Sequence, residues 1–542
     1  MFDATLRLLR TIRPLRTAQL VAQVRRRLPK RYPGPVGELE PTPEVRWRPQ
    51  DFPAPTAEAD DSEGETLAGR LSFVGRKEAI GFPPSWNRRD LPRLWLYNLH
   101  YHEFLWHLGY DGARTAVEDW IARYPPGAGK PGWEAYPISL RLVNWCTLFF
   151  GRHGARTQAD GAFCRALWTS IRDQARHLER NLEWHLMANH LLENAVALAV
   201  VGSCFRHRDA DRWLDKGSTL LERELPEQIL ADGGHYERSP MYQCRVLHDL
   251  RVLMATREPS LTALAAPYVT AATGALRAMT HPDGDIALLN DSALGVYPMP
   301  DPVPHDPGPF ALHETGYYGA RTSAGDYVIC DAGPMGPDYQ PGHGHADLFS
   351  FELSFGGSRV VVDSGVSTYE PGTMRDYCRS TRAHNTVEIG GADQAELWGA
   401  FRVGRRAVPS AVDWRQSQSH FTLAAEHGGY GHLPGSPRHR RCFAWQGLGV
   451  LTITDQVSAT RAVDAVARLH LHPDCQVEGL ADGGCTLGFP GGGADISWDG
   501  WQDAELTDST YCPRFGVETA NRCLVLSSRV AMLEARIRLQ KH

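Results

Sequence analysis

The feature that most constrains this chain is a change of hydrophobic period past its middle. From residue 98 to residue 280, apolar side chains recur at intervals of three and four, in stretches such as "SLRLVNWCTLFF", "RALWTSIRDQARHLERNLEW" and "NHLLENAVALAVVGSCF". That is the period of helices with one buried face. About eight helices are expected, one of them running through "LYNLHYHEFLWHL". Short Gly- and Pro-containing connections predict antiparallel neighbours, in a bundle or an α/α toroid. From about residue 315 the runs become short and alternating, with glycines between them. In "LFSFELSF", Phe349, Phe351, Leu353 and Phe355 alternate with Ser350, Glu352 and Ser354, which predicts a strand with one core face. Gly356-Gly357 then turns the chain into "RVVVDSG". The second part is therefore read as all-β, a sandwich.

A chain of 542 residues is too long for one core. The expected division is a basic helix and extended arm over residues 1–94, a helical part over 95–310 and a β part over 311–542. The segment "MFDATLRLLRTIRPLRTAQLVAQVRRRLPKRYPGP" has leucines at helical spacing among arginines. It reads first as a solvated helix lying on the next domain and second as a helix touching an anionic membrane surface or polymer. No apolar core of an export signal follows its basic residues and no run approaches a membrane span. A cytoplasmic location is expected, with a periplasmic or non-classically secreted one as the alternative. A formal net charge of −6 gives no global field for a polyanion, so an acidic ligand needs a local groove, and nucleic acid is not an expected partner. Eleven cysteines without a CxxC pair read as reduced, mostly buried thiols.

Three constellations can carry chemistry. In "MANHLLENA", Asn189, His190 and Glu193 fall within one helical turn, as a site or as a hydrogen-bonded core network. In "DGGHYERSPMYQCR", a turn leads into a helix with Ser239 as N-cap, placing His235, Tyr236, Glu237, Arg238 and Tyr242 near its start. In "PGHGHADLFSFEL" and "RSTRAHNTVEIGG", His343, His345, Asp363 and His384 supply imidazoles and a carboxylate. Such donors suit zinc, and they equally suit a network of hydrogen-bonded histidines. Residues two apart in an extended segment share a side, so His343 and His345 could converge on one spot.

Taken together and in this order, "NHLLENA", "GGHYERSPMY", "HGHADLFSFELSFGGSRVVVDSG" and "RAHNTVEIGG" resemble the heparinase II/III polysaccharide lyases over roughly residues 95 to 400. The resemblance implies an incomplete α/α toroid followed by an antiparallel β-sandwich, and β-elimination on uronate-containing acidic glycans of the glycosaminoglycan type. It implies that Asn189 and His190 contact the uronate carboxylate and that Tyr242 and His343 transfer protons. Glu193, Tyr236 and Arg238 would serve the substrate side, and His345, Asp363 and His384 would hold a structural zinc. Gln243 stands where many members have histidine, which leaves Tyr236 as second choice for the tyrosine. Removal and return of the C5 proton would make the same residues an epimerase. A polysaccharide-binding protein without catalysis is the remaining alternative.

Overall fold

The helix Ala188–Cys204 has almost no polar face. All of it but His190 is buried, and it forms the centre of the helical part. Its neighbour Arg208–Gln228 lies against it at backbone distance: a Cβ on Gly217 would stand 2.6 Å from the Ala199 nitrogen, and one on Gly202 would stand 2.4 Å from the Leu214 nitrogen. Only glycine permits that approach. Further helices at Tyr110–Arg123, Ala135–Trp145, Gly161–Arg180, Pro240–Ala255 and Pro259–Ala278 complete this part. The computed structural model describes residues 2–28, 32, 40–55, 62–129, 131–299 and 306–542. Parts of the expected arm at 33–65 and of the proline-rich stretch at 298–309 lie outside the described residues. Where it is described, the arm runs along the helices, with Glu44–Val45 paired to Phe205–Arg206. The helix expected through "LYNLHYHEFLWHL" is broken. It spans Arg93–Tyr101, His102 adopts a left-handed φ of 62°, and a 3-10 turn at Glu103–His107 follows. His102 caps a helix whose apolar period alone gave no sign of an end.

The helical region is followed by antiparallel sheets, the expected fold class. Strands Gly308–Leu312, Tyr317–Arg321, Tyr327–Asp331, Phe351–Phe355 and Ser358–Val361 pair in chain order as a five-stranded sheet. A second sheet is built around the long partners Val450–His470 and Thr519–Lys541. Phe351, Leu353 and Phe355 share one core with Phe443, Ile453 and Leu526 of the second sheet, so the two sheets pack face to face. The Gly356-Gly357 turn has positive φ at both positions, 57° and 89°, as a two-residue hairpin of this twist requires.

The alternation in "LFSFELSF" predicts one core face, yet both faces of this strand are buried. The polar face meets the chain just after the last helix. Glu352 Oε2 and Ser354 Oγ lie 2.8 and 2.7 Å from the two nitrogens of His281, and Glu352 also accepts the backbone N–H groups of Leu288 and Asp363. Tyr327 donates its hydroxyl to the Ala278 carbonyl at 2.6 Å. Polar side chains buried this way lose no hydrogen bonds, which makes a buried polar seam tolerable.

The second sheet reaches the histidine loop through one arginine. Arg441 grips Asp455 with Nε and Nη2 at 2.7 and 2.9 Å and donates Nη1 to the carbonyls of Phe349 and Asn385. Burial opposes the Asp455 charge, but Arg441 and a hydrogen bond from His439 outweigh it and hold this carboxyl at about 2. A depressed carboxylate contributes stability that is full above its unfolded value near 4 and is lost as pH falls toward about 2. Arg441→Met is expected to cost about 3–5 kcal/mol by leaving Asp455 charged and unpaired. Chemical denaturation at pH 7 and at pH 3 checks this, and the gap between variant and parent should narrow at the lower pH.

Candidate active site

Asp291 lies in the turn after the helical part, fully buried, and it gathers the site. Its Oδ2 accepts from His343 Nδ1 and Arg375 Nη2, each at 2.8 Å, and its Oδ1 accepts from His345 Nε2 at 2.9 Å and from Arg375 Nη1. Burial alone would push this carboxyl up, but the Arg375 guanidinium and the two imidazoles hold it well below the usual carboxylate range. An ionised carboxylate only accepts, so both histidines donate to it, and their other nitrogens carry the lone pairs. His343 and His345 thus converge, as their spacing allows, on one carboxylate. His343 Nε2 then stands 3.6 Å from Glu237 Oε2, beyond hydrogen-bond range.

Tyr242 comes from the other side, near the start of the helix Pro240–Ala255, where Ser239 Oγ accepts the Tyr242 N–H as N-cap. The ring centroids of Tyr242 and His343 are 4.4 Å apart, so residues from the helical and β parts meet across the seam. Both are buried, at 8% exposure each, with Tyr369 and Phe401 against the His343 ring. Burial, with Tyr369 beside it, pushes the Tyr242 hydroxyl well above its ordinary value, so it rests as a neutral donor. Gln243 points away. It accepts the His235 N–H and donates to the carbonyls of Gly233 and Ala272, stapling the turn before the helix.

Asn189 and His190 open the helix Ala188–Cys204. Glu237 holds the first: its carboxylate accepts the Asn189 N–H at 3.0 Å and the side-chain amide at 2.9 and 3.1 Å. An acidic group at a helix start also suits the helix dipole. Glu183 holds the second, with Oε1 3.2 Å from His190 Nδ1. Burial works against a charge on His190, but Glu183 outweighs it and raises the imidazole above its ordinary value. His190 lies against Tyr136, with the ring centroids 4.5 Å apart and the planes tilted by 51°, and keeps a quarter of its side chain open to solvent, at 25%.

The remaining expected residues lie nearby with other partners. Glu193 pairs with Arg245, which also faces Asp249 at 3.1 Å. It therefore supports that buried cluster, while Glu183 and Glu237 are what hold the asparagine and histidine. Tyr236 shares a 2.8 Å bond between hydroxyls with Tyr339. Arg238 donates to the carbonyls of Thr315, Tyr236 and Glu314 and ties the helical part to the first β-hairpin. Asp363 Oδ2 accepts from His384 Nδ1 at 2.8 Å, and burial of His384 is outweighed by that carboxylate, which holds it up at about 9.

The three residues expected to hold zinc fit it in part. His345 Nδ1 and His384 Nε2 are buried without a hydrogen-bond partner, as is Asp347 Oδ2, and the two rings lie 5.3 Å apart. Asp363 instead stands behind His384, where a carboxylate orients a ligand. Among the described residues no group of three or more His, Cys, Asp or Glu side chains is placed to hold a metal.

Asp291, Arg375 and Glu183 do not stand out in the sequence, whereas Glu237 falls within the segment that also holds Tyr236, Arg238 and Tyr242. For Asp291, "LLNDS" carries the only signal, a lone acid between apolar and turn residues. Residues 114–296 match the heparinase II/III N-terminus, and residues 304–540 match the heparinase II/III-like C-terminal region. The chain belongs to the heparinase II/III-like family, a family of polysaccharide lyases. It is 26% identical over 513 residues to the FtsZ-localized protein C of Caulobacter vibrioides, covering 87% of this chain and 85% of that one. It is 24% identical over 315 residues to a heparin-sulfate lyase of Pedobacter heparinus, 50% of this chain and 46% of the relative. A crystal structure of heparinase III shares the fold with a TM-score of 0.69 at 15% identity, over 97% of this chain and 89% of that one.

Asp291→Asn is expected to cost about 3–5 kcal/mol, because Arg375 would stay buried and charged without its counter-ion. Tyr236→Phe loses one hydroxyl bond and should cost about 1 kcal/mol. Urea denaturation of the two variants checks the ranking.

Proposed function

We propose that this chain cleaves a uronate-containing acidic polysaccharide by β-elimination. The observation that carries the reading is the contact of Tyr242 with His343 across the seam, with Asn189 and His190 at the adjacent helix start. The C5 proton of a uronate lies α to a carboxylate, whose charge resists further charge beside it. His190, held toward its cationic form by Glu183, and the amide of Asn189 are the groups suited to meet that carboxylate. Donors aimed at charge that grows in the transition state are worth about 3–4 kcal/mol each.

Asp291 divides the proton work. By accepting from Nδ1 it leaves the lone pair of His343 on Nε2, which makes this atom the base for the C5 proton. Tyr242, resting neutral, is the acid for the departing glycosidic oxygen. The electron pair of the broken C5–H bond forms the C4=C5 double bond as the C4–O bond leaves, so no hydrolytic water enters. Glu237 and Glu183 act as positioning residues. Zinc, where bound, would take His345 Nδ1 and His384 Nε2 with Asp363 orienting the second imidazole, and would supply a structural link between the histidine loop and the sheets.

One second reading is a polysaccharide-binding protein that keeps the fold without turnover; FtsZ-localized protein C, matched along 85% of its length, is named for where it is found and not for an activity. Incubation with heparosan, hyaluronan, chondroitin and alginate separates the two, because elimination gives an ultraviolet-absorbing double bond and binding does not. Tyr242→Phe keeps the ring, so folding should survive while turnover falls at least ~10²-fold. His343→Ala should behave alike. Near-normal turnover in Tyr242→Phe would remove the tyrosine from the mechanism.

One zinc per chain is expected in protein purified without chelator. His384→Ala should lose it and melt earlier than the parent, whereas His343→Ala should keep it. Elemental analysis beside thermal melting reads both, and a metal-free parent protein would withdraw the zinc assignment.

A further inference from the structure

The first two helices lie on the body with the wrong face. A surface helix ordinarily turns its apolar stripe to the core and its charges to water. In Phe2–Ile12 the polar side is the one attached: Arg10 pairs with Glu396 at 2.7 and 2.6 Å, Arg7 lies over the Trp398 ring, and Thr11 accepts the Trp398 indole N–H. In Thr17–Arg25, Gln19 is buried and donates to the Tyr339 carbonyl, and Arg16 just before it pairs with Glu227. The opposite sides carry Leu6, Leu8, Leu9 and Ile12, then Leu20, Val21 and Val24, with Leu28 beyond, all of them exposed. Leu9, Val24 and Leu28 are 58%, 65% and 63% open. Half of the exposed large apolar residues of the described chain fall in these first 28 positions.

The charge around this face is equally uneven. Residues 1–32 hold nine Lys and Arg against one Asp, in a chain whose formal net charge is −6. Arg13, Arg25, Arg26 and Arg27 are exposed beside the apolar side chains. An outward apolar stripe flanked by arginines matches a lipid interface with anionic headgroups, where leucines enter the acyl boundary and guanidinium groups pair with phosphates. Among the described residues no helix is long and apolar enough to cross a membrane, so the contact is one of lying on the surface.

We propose that the helices Phe2–Ile12 and Thr17–Arg25 dock this chain on an anionic lipid bilayer, their polar sides clamped to the body and their leucines inserted. The clamp fixes the site relative to the membrane, because Glu227 belongs to the helical part and Glu396 and Trp398 to the β part. Docking does not require turnover, so it stands whether or not the elimination reading holds.

Co-sedimentation of the full chain with vesicles tests it. Binding is expected to phosphatidylcholine vesicles containing phosphatidylglycerol, with much weaker binding to phosphatidylcholine alone and loss of binding as salt rises. Leu9→Gln with Val24→Gln should lower the partition constant at least tenfold, since each buried leucine or valine is worth roughly that much. Leu8→Gln with Leu28→Gln should do the same, as a second pair if the first fails to fold, and thermal melting of each pair should match the parent. Arg25→Glu with Arg26→Glu should weaken binding and flatten its salt dependence. Binding unchanged in both apolar pairs would overturn the proposal. So would a dimer in light scattering that either pair dissociates while the parent ignores vesicles, which would make this face a contact between copies. Retention on an anionic polysaccharide without vesicle binding would also overturn it.

Discussion

One buried carboxylate organises the functional half of this molecule. Asp291 accepts from four donors belonging to two other segments, the loop with His343 and His345 and the helix Thr373–Arg379. Burying a charge is costly, and a buried ion pair is weak evidence of net stability. Its value lies in what it fixes. With the charge on Asp291, each imidazole has one permitted tautomer, which leaves Nε2 of His343 without its proton beyond hydrogen-bond reach of Glu237 and Nδ1 of His345 buried without a partner. The same carboxylate thus sets up two different environments for histidines only two residues apart.

The seam between helices and sheets follows the same logic. Glu352, Ser354 and His281 satisfy one another inside it, and Arg238 and Tyr327 donate across it to backbone carbonyls. Polar groups in a dry seam must be matched one by one, which specifies a single docking geometry more sharply than apolar contact does. That precision is what a pair such as Tyr242 and His343 needs, because neither part alone holds both. Arg441 extends the constraint to the second sheet by holding the carbonyls of Phe349 and Asn385, on either side of the histidine loop's exit.

Attachment of the first two helices obeys a different rule. Ion pairs and cation–aromatic contacts hold them by their polar sides, so their apolar surface is not used in folding. A protein that exposes a contiguous apolar patch usually has something to cover it, and here the arginines beside the patch select the sign of that cover.

Much of this was determined by sequence alone. The period of three and four fixed the helical part, the alternation in "LFSFELSF" fixed a strand, and Gly356-Gly357 fixed its turn, because each is a local consequence of backbone geometry. The segments holding Asn189, Tyr242, His343 and His384 were legible as candidate chemistry, since polar residues in apolar or glycine-hinged surroundings are costly unless used. Tertiary structure alone decided which partner each would take. Asp291 and Arg375 are 84 residues apart and Asn189 and Glu237 are 48 apart, and no local period relates such distances. The assignment of Glu193 to Arg245, the burial of the polar strand face, and the outward turn of the first leucines also follow from packing between distant segments. A helix or strand pattern states which faces differ, and only the assembled neighbours decide which face is buried.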